Sequence, residues 1–482
     1  MAATIQLVGV KECRLAWKKI SLQIELQKLV QYFSSLDNPS ILGGTEFNSV
    51  RNRYSYFAAQ PVEIFEFFAG DSKPFEKLKT VLKKYHIENV GADLCVCPKG
   101  EHAGSPLQSI FTGGWVGFFS YDLNSFIENV PAAVDDISLP LIRLCFYDEV
   151  ICFDHLQNCF YLFAIELPQD EKSGEEKITY LEDILNQAAD IKDTIVSKTC
   201  DEFDLNDFQS SMTKDYYLDA IAKTKKYIYD GDVYQINFSQ RFSADFNCEP
   251  YKLFLWQNKF NPSPYSAYID AGSYQIVSAS PELFININKG IITTCPIKGT
   301  RPRTYNKTVD EKNYKDLVEN EKEKAELDMI IDLERNDLGR ICDYGSIKVT
   351  KRRDIETFST VFHAVSTIQG KLRKDIDFVD CLKAIFPGGS ITGAPKISAM
   401  KIISQLEPTA RGLYTGSIGW FDLKGNACLN IAIRTIIIKD NTAFAQTGGG
   451  IVADSDAQSE WNETLIKAKA LLAGIKAVQK NE

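Results

Sequence analysis

The chain has 482 residues, 44% hydrophobic and 24% charged, an ordinary globular composition that excludes a disordered chain, a collagen-like repeat and a small disulfide scaffold. Its formal net charge of −10 repels a polyanion, and no Lys/Arg stripe interleaved with aromatics is present, so nucleic acid is not expected as a partner. The 12 cysteines are scattered, and the closest two, Cys95 and Cys97, lack a neighbouring histidine to complete a zinc set, so reduced thiols in a cytoplasm are expected, with neither secretion nor membrane spanning.

Up to about residue 165, short apolar runs such as Tyr56-Phe57-Ala58-Ala59 and Leu144-Cys145-Phe146-Tyr147 alternate with turns and predict strands of an antiparallel sheet. The run Gly113 to Tyr121 mixes small residues with aromatics and reads as close packing. The polar stretch 169–176 reads as a loop leading into a short helix before Cys200, where a boundary is placed between an N-terminal α+β domain, 1–200, and a catalytic domain, 201–482.

Beyond the boundary, a helix is predicted from about Lys214 to Asp230, capped by Thr213 and stopped by Gly231, with Tyr217, Ile221, Thr224 and Ile228 at helical spacing. In the strand that follows, Tyr234, Ile236, Phe238 and Phe242 alternate with Gln235, Asn237, Ser239 and Arg241. That polar row either lines a site or faces water, and water is the commoner outcome. Glu282 ends a Ser-Ala-Ser-Pro-Glu segment, and Lys298 lies in a turn-rich Pro-Ile-Lys-Gly-Thr run. A partly desolvated lysine acts as a nucleophile and a nearby carboxyl moves protons, although a surface turn lysine is commoner.

In a helical run over 311–334, Glu323 and Glu326 are three apart, and Glu460 and Glu463 repeat that spacing on a helix whose Leu465, Ala468, Leu472 and Ile475 face a core. Two such pairs make either a hard-cation site or a solvated acidic face. The loop 386–396 resembles a phosphate loop superficially, but Ala394 and Pro395 replace the Lys and Ser/Thr that pattern needs, leaving an anion-positioning or structural helix start. Arg434 interrupts the apolar strand predicted over 430–438 and needs an anion, either a protein carboxylate or a ligand. Tyr414 and Gly448, Gly449 and Gly450 supply a phenol and backbone N–H groups, or the glycines form a hairpin turn.

The ordered segments SASPE (278–282), PIKGTRPR (296–303), DLERNDLGR (332–340), FHAVS (362–366), FPGGSITGAPK (386–396), YTGSIGW (414–420), NIAIRT (430–435) and TGGGIVADSD (447–456) resemble the chorismate-utilising enzymes. The resemblance implies an α+β fold, with large antiparallel sheets packed as a sandwich and helices on its outer faces. It implies Mg²⁺ held by Glu323, Glu326, Glu460 and Glu463 against the ring carboxylate of chorismate, whose enolpyruvyl carboxylate meets Tyr414, Arg434 and Gly448 to Gly450. Gln235, Thr300, His363, Thr392 and Lys467 are implied as further substrate contacts. Water-adding members carry Lys where this chain has Gln235, which implies ammonia as the incoming group, supplied by a separate glutamine amidotransferase subunit. Members that form anthranilate carry Ala at the Lys298 position, whereas those that aminate C4 carry Lys, which implies catalysis by Lys298 and Glu282. Ile41-Leu42-Gly43-Gly44 matches loosely an element that binds tryptophan in anthranilate-forming members.

Overall fold

Among the described residues every strand pair but one is antiparallel, and the pairs assemble into a 13-stranded and a 10-stranded sheet. The computed structural model describes residues 11–46, 50–87, 110–192, 203–204, 207–358 and 360–479, so Cys95, Cys97 and Cys200 lie outside the described residues; no disulfide joins two of the described cysteines. Each sheet draws strands from both sides of residue 200. In the larger sheet Ser40–Leu42 lies between Tyr54–Ala58 and Tyr265–Asp270, and in the smaller one Gly114–Phe119 pairs with Ser417–Asp422.

The two-residue period of a strand explains the layering. In Glu149–Asp154, Val150 and Cys152 point into the layer between the sheets, packed with Val116, Phe118 and Trp420 of the other sheet. The alternate residues Ile151 and Phe153 point outward beneath the helices Leu26–Ser34, Gly174–Ala189, Pro250–Phe260 and Ala457–Gln479. On the far face of the smaller sheet, Ile285, Ile287 and Leu429 pack under Glu321–Gly339 and Phe378–Ile385. This is the expected sandwich with helices outside. Trp115, Phe118 and Phe119 are buried as the Gly113–Tyr121 reading expects, and a side chain at Gly117 would strike the Arg143 carbonyl.

Several local expectations hold and several change. Lys214–Tyr229 is a helix whose Thr213 hydroxyl accepts the Tyr216 N–H. The loop over 169–176 ends sooner than expected, because Ser173 and Glu176 form a reciprocal cap that starts a helix at Gly174. The helical run 311–334 is two helices, Lys307–Glu319 and Glu321–Gly339, broken at Asn320, whose side chain caps the second by accepting the Glu323 N–H. The apolar run 430–438 is also two elements. Ala427–Asn430 belongs to the smaller sheet and Thr435–Lys439 to the larger, so residues 431–434 cross between the layers.

Candidate active site

Two crossings between the sheets run side by side and build the site. Tyr274–Ser280 lies in the larger sheet and Leu283–Asn288 in the smaller, with Pro281 and Glu282 between them. The second crossing is 431–434. They are tied together by the Ile431 N–H on the Glu282 carbonyl (3.0 Å), the Ser280 hydroxyl on the Ile431 carbonyl (2.6 Å) and the Ala279 N–H on the Arg434 carbonyl (3.0 Å). A strand that changes sheets leaves its ladder, so its side chains are free to face the gap between the layers.

On the first crossing, Glu282 is buried and its Oε1 accepts the Ser390 hydroxyl at 2.7 Å. The half-buried Lys298, from Ile297–Pro302, donates to the Ser390 carbonyl at 3.3 Å. Burial pushes the Glu282 carboxyl above the usual range, a shift opposed by the Ser390 bond and by the Lys298 charge. Burial likewise pushes the Lys298 ammonium below its usual value, against the pull of Glu282 and Glu326. The carboxyl is thus biased toward its proton and the amine toward its lone pair, the pairing of an acid with a nucleophile.

On the second crossing, Arg434 adopts a left-handed backbone, φ 49°, a conformation that a non-glycine residue holds only when its surroundings enforce it. Its half-buried guanidinium has no ion pair among the described residues, and desolvation lowers its pKa with no opposing contribution. The structural ion pair considered for Arg434 is absent among the described residues, leaving the charge to an external anion. Tyr414 is buried, its phenol makes no hydrogen bond to a described residue, and burial raises its pKa. His363 faces the same region: Thr300 shares a hydrogen bond with its Nδ1 at 2.8 Å, and burial together with the nearby Arg434 charge pushes its pKa down to about 3. The ring is therefore neutral, with Nε2 left for a ligand.

Gly448, Gly449 and Gly450 form no hairpin turn. They lie within Thr442–Ile451 and pair with Gln235–Asp245 in the register Ser239↔Gly448, Phe238↔Gly449 and Asn237↔Gly450. Pairing to Thr435–Lys439 on the other edge ends at Ala445, which leaves that edge of the glycines open. A Cβ at Gly449 would meet Glu460 at 3.2 Å, and one at Gly450 would collide with the Gln235 amide. The polar row of Gln235–Asp245 does not face water: Gln235, Ser239 and Arg241 are buried, and the Gln235 and Asn237 side-chain oxygens have no hydrogen-bond partner among the described residues. Tyr234, expected on the apolar face, is 71% exposed because the strand begins only at Gln235.

The four glutamates sit on two helices that approach the same volume. Glu323 rests beside Gly299, where a Cβ would meet its Oε2 at 2.7 Å, and its other oxygen accepts from Arg301 at 2.9 Å. Glu460 accepts the Ser455 hydroxyl at 2.7 Å, while Glu463 pairs with Lys467, whose ammonium also donates to the Gly448 carbonyl at 3.0 Å. Among the described residues no three His, Cys, Asp or Glu side chains converge as a metal ligand set. Burial raises the Glu326 and Glu460 carboxyls, and Glu463 raises both further by like-charge repulsion. Thr392 is fully buried, with its hydroxyl donating to the Gly388 carbonyl at 3.0 Å, so it braces the 386–396 loop from within.

Residues 46–473 match the family described as chorismate binding enzyme. The chain belongs to that family. Among relatives of this chorismate-binding enzyme, aminodeoxychorismate synthase component 1 of Bacillus subtilis is 40% identical over 75% of this chain and 76% of the relative. Anthranilate synthase component 1 of Acetivibrio thermocellus is 36% identical over 88% of this chain and 87% of the relative. The crystal structure of anthranilate synthase component I from Streptococcus pneumoniae superposes with a TM-score of 0.71, at 33% identity, covering 88% of this chain and 93% of that one. The chorismate-binding enzyme is thus of the anthranilate or aminodeoxychorismate synthase component I type.

Sequence reasoning missed two groups at this site. Ser390, which joins Glu282 to Lys298, gave no signal beyond its place in a glycine-rich loop. Glu334 lies within DLERNDLGR (332–340), where a charged helix face hides it; it is buried on Glu321–Gly339, and desolvation, with Asp337 adding repulsion, pushes it up to about 8. Leu42 and Gly43 line a separate small cavity between the sheets, with Arg51, Tyr265, Trp420 and Asn430.

Proposed function

We propose that the chain aminates chorismate at C4, giving 4-amino-4-deoxychorismate, as the component 1 subunit of an aminodeoxychorismate synthase. The observation that carries this reading is Lys298, desolvated and hydrogen-bonded to the same serine that holds a proton-retaining Glu282. In the proposed sequence the Lys298 amine forms a bond to C2 as the C4 hydroxyl departs as water with the Glu282 proton. Ammonia then bonds to C4 and the Lys298 amine leaves C2, restoring the ring diene. Two displacements deliver the new amine to the face that the hydroxyl left. Arg434 and Tyr414 hold the enolpyruvyl carboxylate, the open edge of Gly448 to Gly450 adds backbone N–H groups, and His363 packs as a neutral ring.

Glu323, Glu326, Glu460 and Glu463 would hold Mg²⁺. The fit rests on hard oxygen donors, on a buried Glu323 oxygen without a hydrogen-bond partner among the described residues, and on carboxyls that repel one another in the absence of a cation. Bound there, the ion supplies charge neutralisation for the ring carboxylate. A separate glutamine amidotransferase subunit is the proposed ammonia source, and the setting is cytoplasmic; no described helix is long and apolar enough to cross a membrane.

Product identification by mass, from chorismate, ammonium and Mg²⁺ with purified protein, tests the reading: aminodeoxychorismate is the expected product. Anthranilate formation is the second reading, favoured by relatives of that name at comparable identity. Fluorescent anthranilate appearing with no lyase added would establish it.

A further inference from the structure

Behind the site, Arg411 is 2% exposed and uses all five of its N–H donors. Nε and Nη2 donate to the two Glu407 oxygens at 2.8 and 2.7 Å. Nη1 donates to the Ile391 carbonyl at 3.1 Å and the Thr415 hydroxyl at 3.2 Å, and Nη2 to the Asn237 carbonyl at 2.5 Å. Each acceptor other than Glu407 lies within two residues of a site residue, on a different segment. Ile391 lies between Ser390 and Thr392. Asn237 is two residues from Gln235, and its N–H bonds the Thr392 carbonyl at 2.7 Å. Thr415 follows Tyr414 and donates its N–H to Ala432, two residues before Arg434, at 2.9 Å. Glu407 extends the clamp, accepting the Ser239 N–H at 2.9 Å and hydroxyl at 2.7 Å.

A buried ion pair alone is weak evidence of stabilisation, since an apolar pair of similar volume often serves as well. A planar fork that spends two donors on Glu407 and one each on the segments of Ile391, Thr415 and Asn237 does what no apolar pair can, which is to fix their mutual distances. We infer that Arg411, locked on Glu407, is a positioning residue that holds the Ser390–Glu282–Lys298 side of the site in register with the Tyr414–Arg434 side. This rests on the chorismate reading only for its kinetic readout. Arg411 is too enclosed by protein to touch a ligand: besides Glu407, the titratable groups facing it are Tyr121, Asp122 and Tyr414. Those facing Glu282 are Lys298 and Glu334.

The test is a cycle of Arg411→Lys, Ser390→Ala and their combination, read by chorismate loss across pH. Lysine keeps one bond to Glu407 but cannot reach Ile391, Thr415 and Asn237 together. Arg411→Lys is expected to lower kcat about tenfold. The pH limb set by Glu282, identified as the one that Glu282→Gln removes, moves upward, because the Ser390 hydroxyl that holds this carboxyl down has drifted. The combined variant should lose no more than Ser390→Ala alone. A folded Arg411→Lys protein with an unmoved limb overturns the inference, as do losses that multiply in the combined variant. Arg411→Gln with Glu407→Gln leaves no buried charge unpaired and should move the same limb; unfolding of both forms would place the pair in the fold rather than the site. Hydrogen exchange at 389–393 is expected to rise in Arg411→Lys while Lys396–Leu406 keeps its protection, and unchanged exchange there counts against the inference. That measurement needs no turnover, so a wild-type protein that leaves chorismate untouched would overturn the proposed reaction and still leave this one decided.

Discussion

The two ends of the candidate site are built on different principles. At one end Glu282 sits on a strand crossing, Ser390 on a braced loop and Lys298 on the strand Ile297–Pro302, and their hydrogen bonds are already made. At the other end four glutamates project from two helices, three of them engaged with Arg301, Ser455 or Lys467 and none in a common ligand set. Backbone that changes sheets has little freedom, so the groups proposed to exchange protons and bonds are held in place before any ligand arrives. Like-charged side chains on helix surfaces have rotamer freedom and a reason to part, so that end is organised by whatever neutralises it.

Breaking the preorganised end should cost most. Lys298→Ala is expected to lower chorismate consumption by about 10³-fold or more and to abolish any adduct visible by intact mass; wild-type rates would remove the covalent role. Glu282→Gln keeps the volume and one acceptor for Ser390 but cannot give a proton, so kcat should fall roughly 10²-fold with KM little changed. Arg434→Met sharpens the contrast, since it removes a desolvated cation that has no described protein partner. Chorismate KM is expected to rise about 10²-fold while thermal stability rises, and a stability loss would reveal a structural role.

The carboxylate end should respond in stability first. The folded-state pKa values of Glu326 and Glu460 are raised above their ordinary 4.5, so the folded chain binds their protons more tightly than the unfolded one. Stability is then lost as pH rises through that window and regained as it falls. In EDTA the wild-type Tm should climb between pH 7 and about pH 5, and Glu326→Gln with Glu460→Gln should flatten that slope. The same pair should raise Tm at pH 7 by roughly 2–4 °C and cancel stabilisation by added Mg²⁺; an unchanged Mg²⁺ response would place the cation elsewhere. The smallest effect concerns His363. Held neutral down to about pH 3, it should contribute no limb to the pH–rate profile between 5 and 8, and His363→Asn should leave the profile's shape intact.

What the sequence made legible follows from which signals are local. The helix caps at Thr213 and the core-facing stripe of the C-terminal helix are set by residues a few positions apart, and both stand in the structure. The layered sandwich came from the ordered motifs, and the sheets match it. Arg434 was misplaced because an apolar strand buried on both faces and two strands handed from sheet to sheet give the same run of letters. Of the two readings of the glycines, the hairpin turn fails because their small size serves neighbours distant in sequence, Glu460 and Gln235. The polar row on Gln235–Asp245 was buried by a partner network, through Glu407 and Gln446, that no period can announce.

The pairing of Gly114–Phe119 with Ser417–Asp422 has a further consequence during synthesis. A chain released from the ribosome in order exposes the first of these strands long before the second exists, and Ser40–Leu42 likewise waits for Tyr265–Asp270. Neither sheet can close until nearly the whole polypeptide is made, so loop closure is costly and folding slow. The waiting edges are apolar and hydrogen-bond competent, the features that recruit other chains. Slower synthesis at reduced temperature, or a holdase that covers those edges, is therefore the condition under which this protein should be recovered in highest native yield.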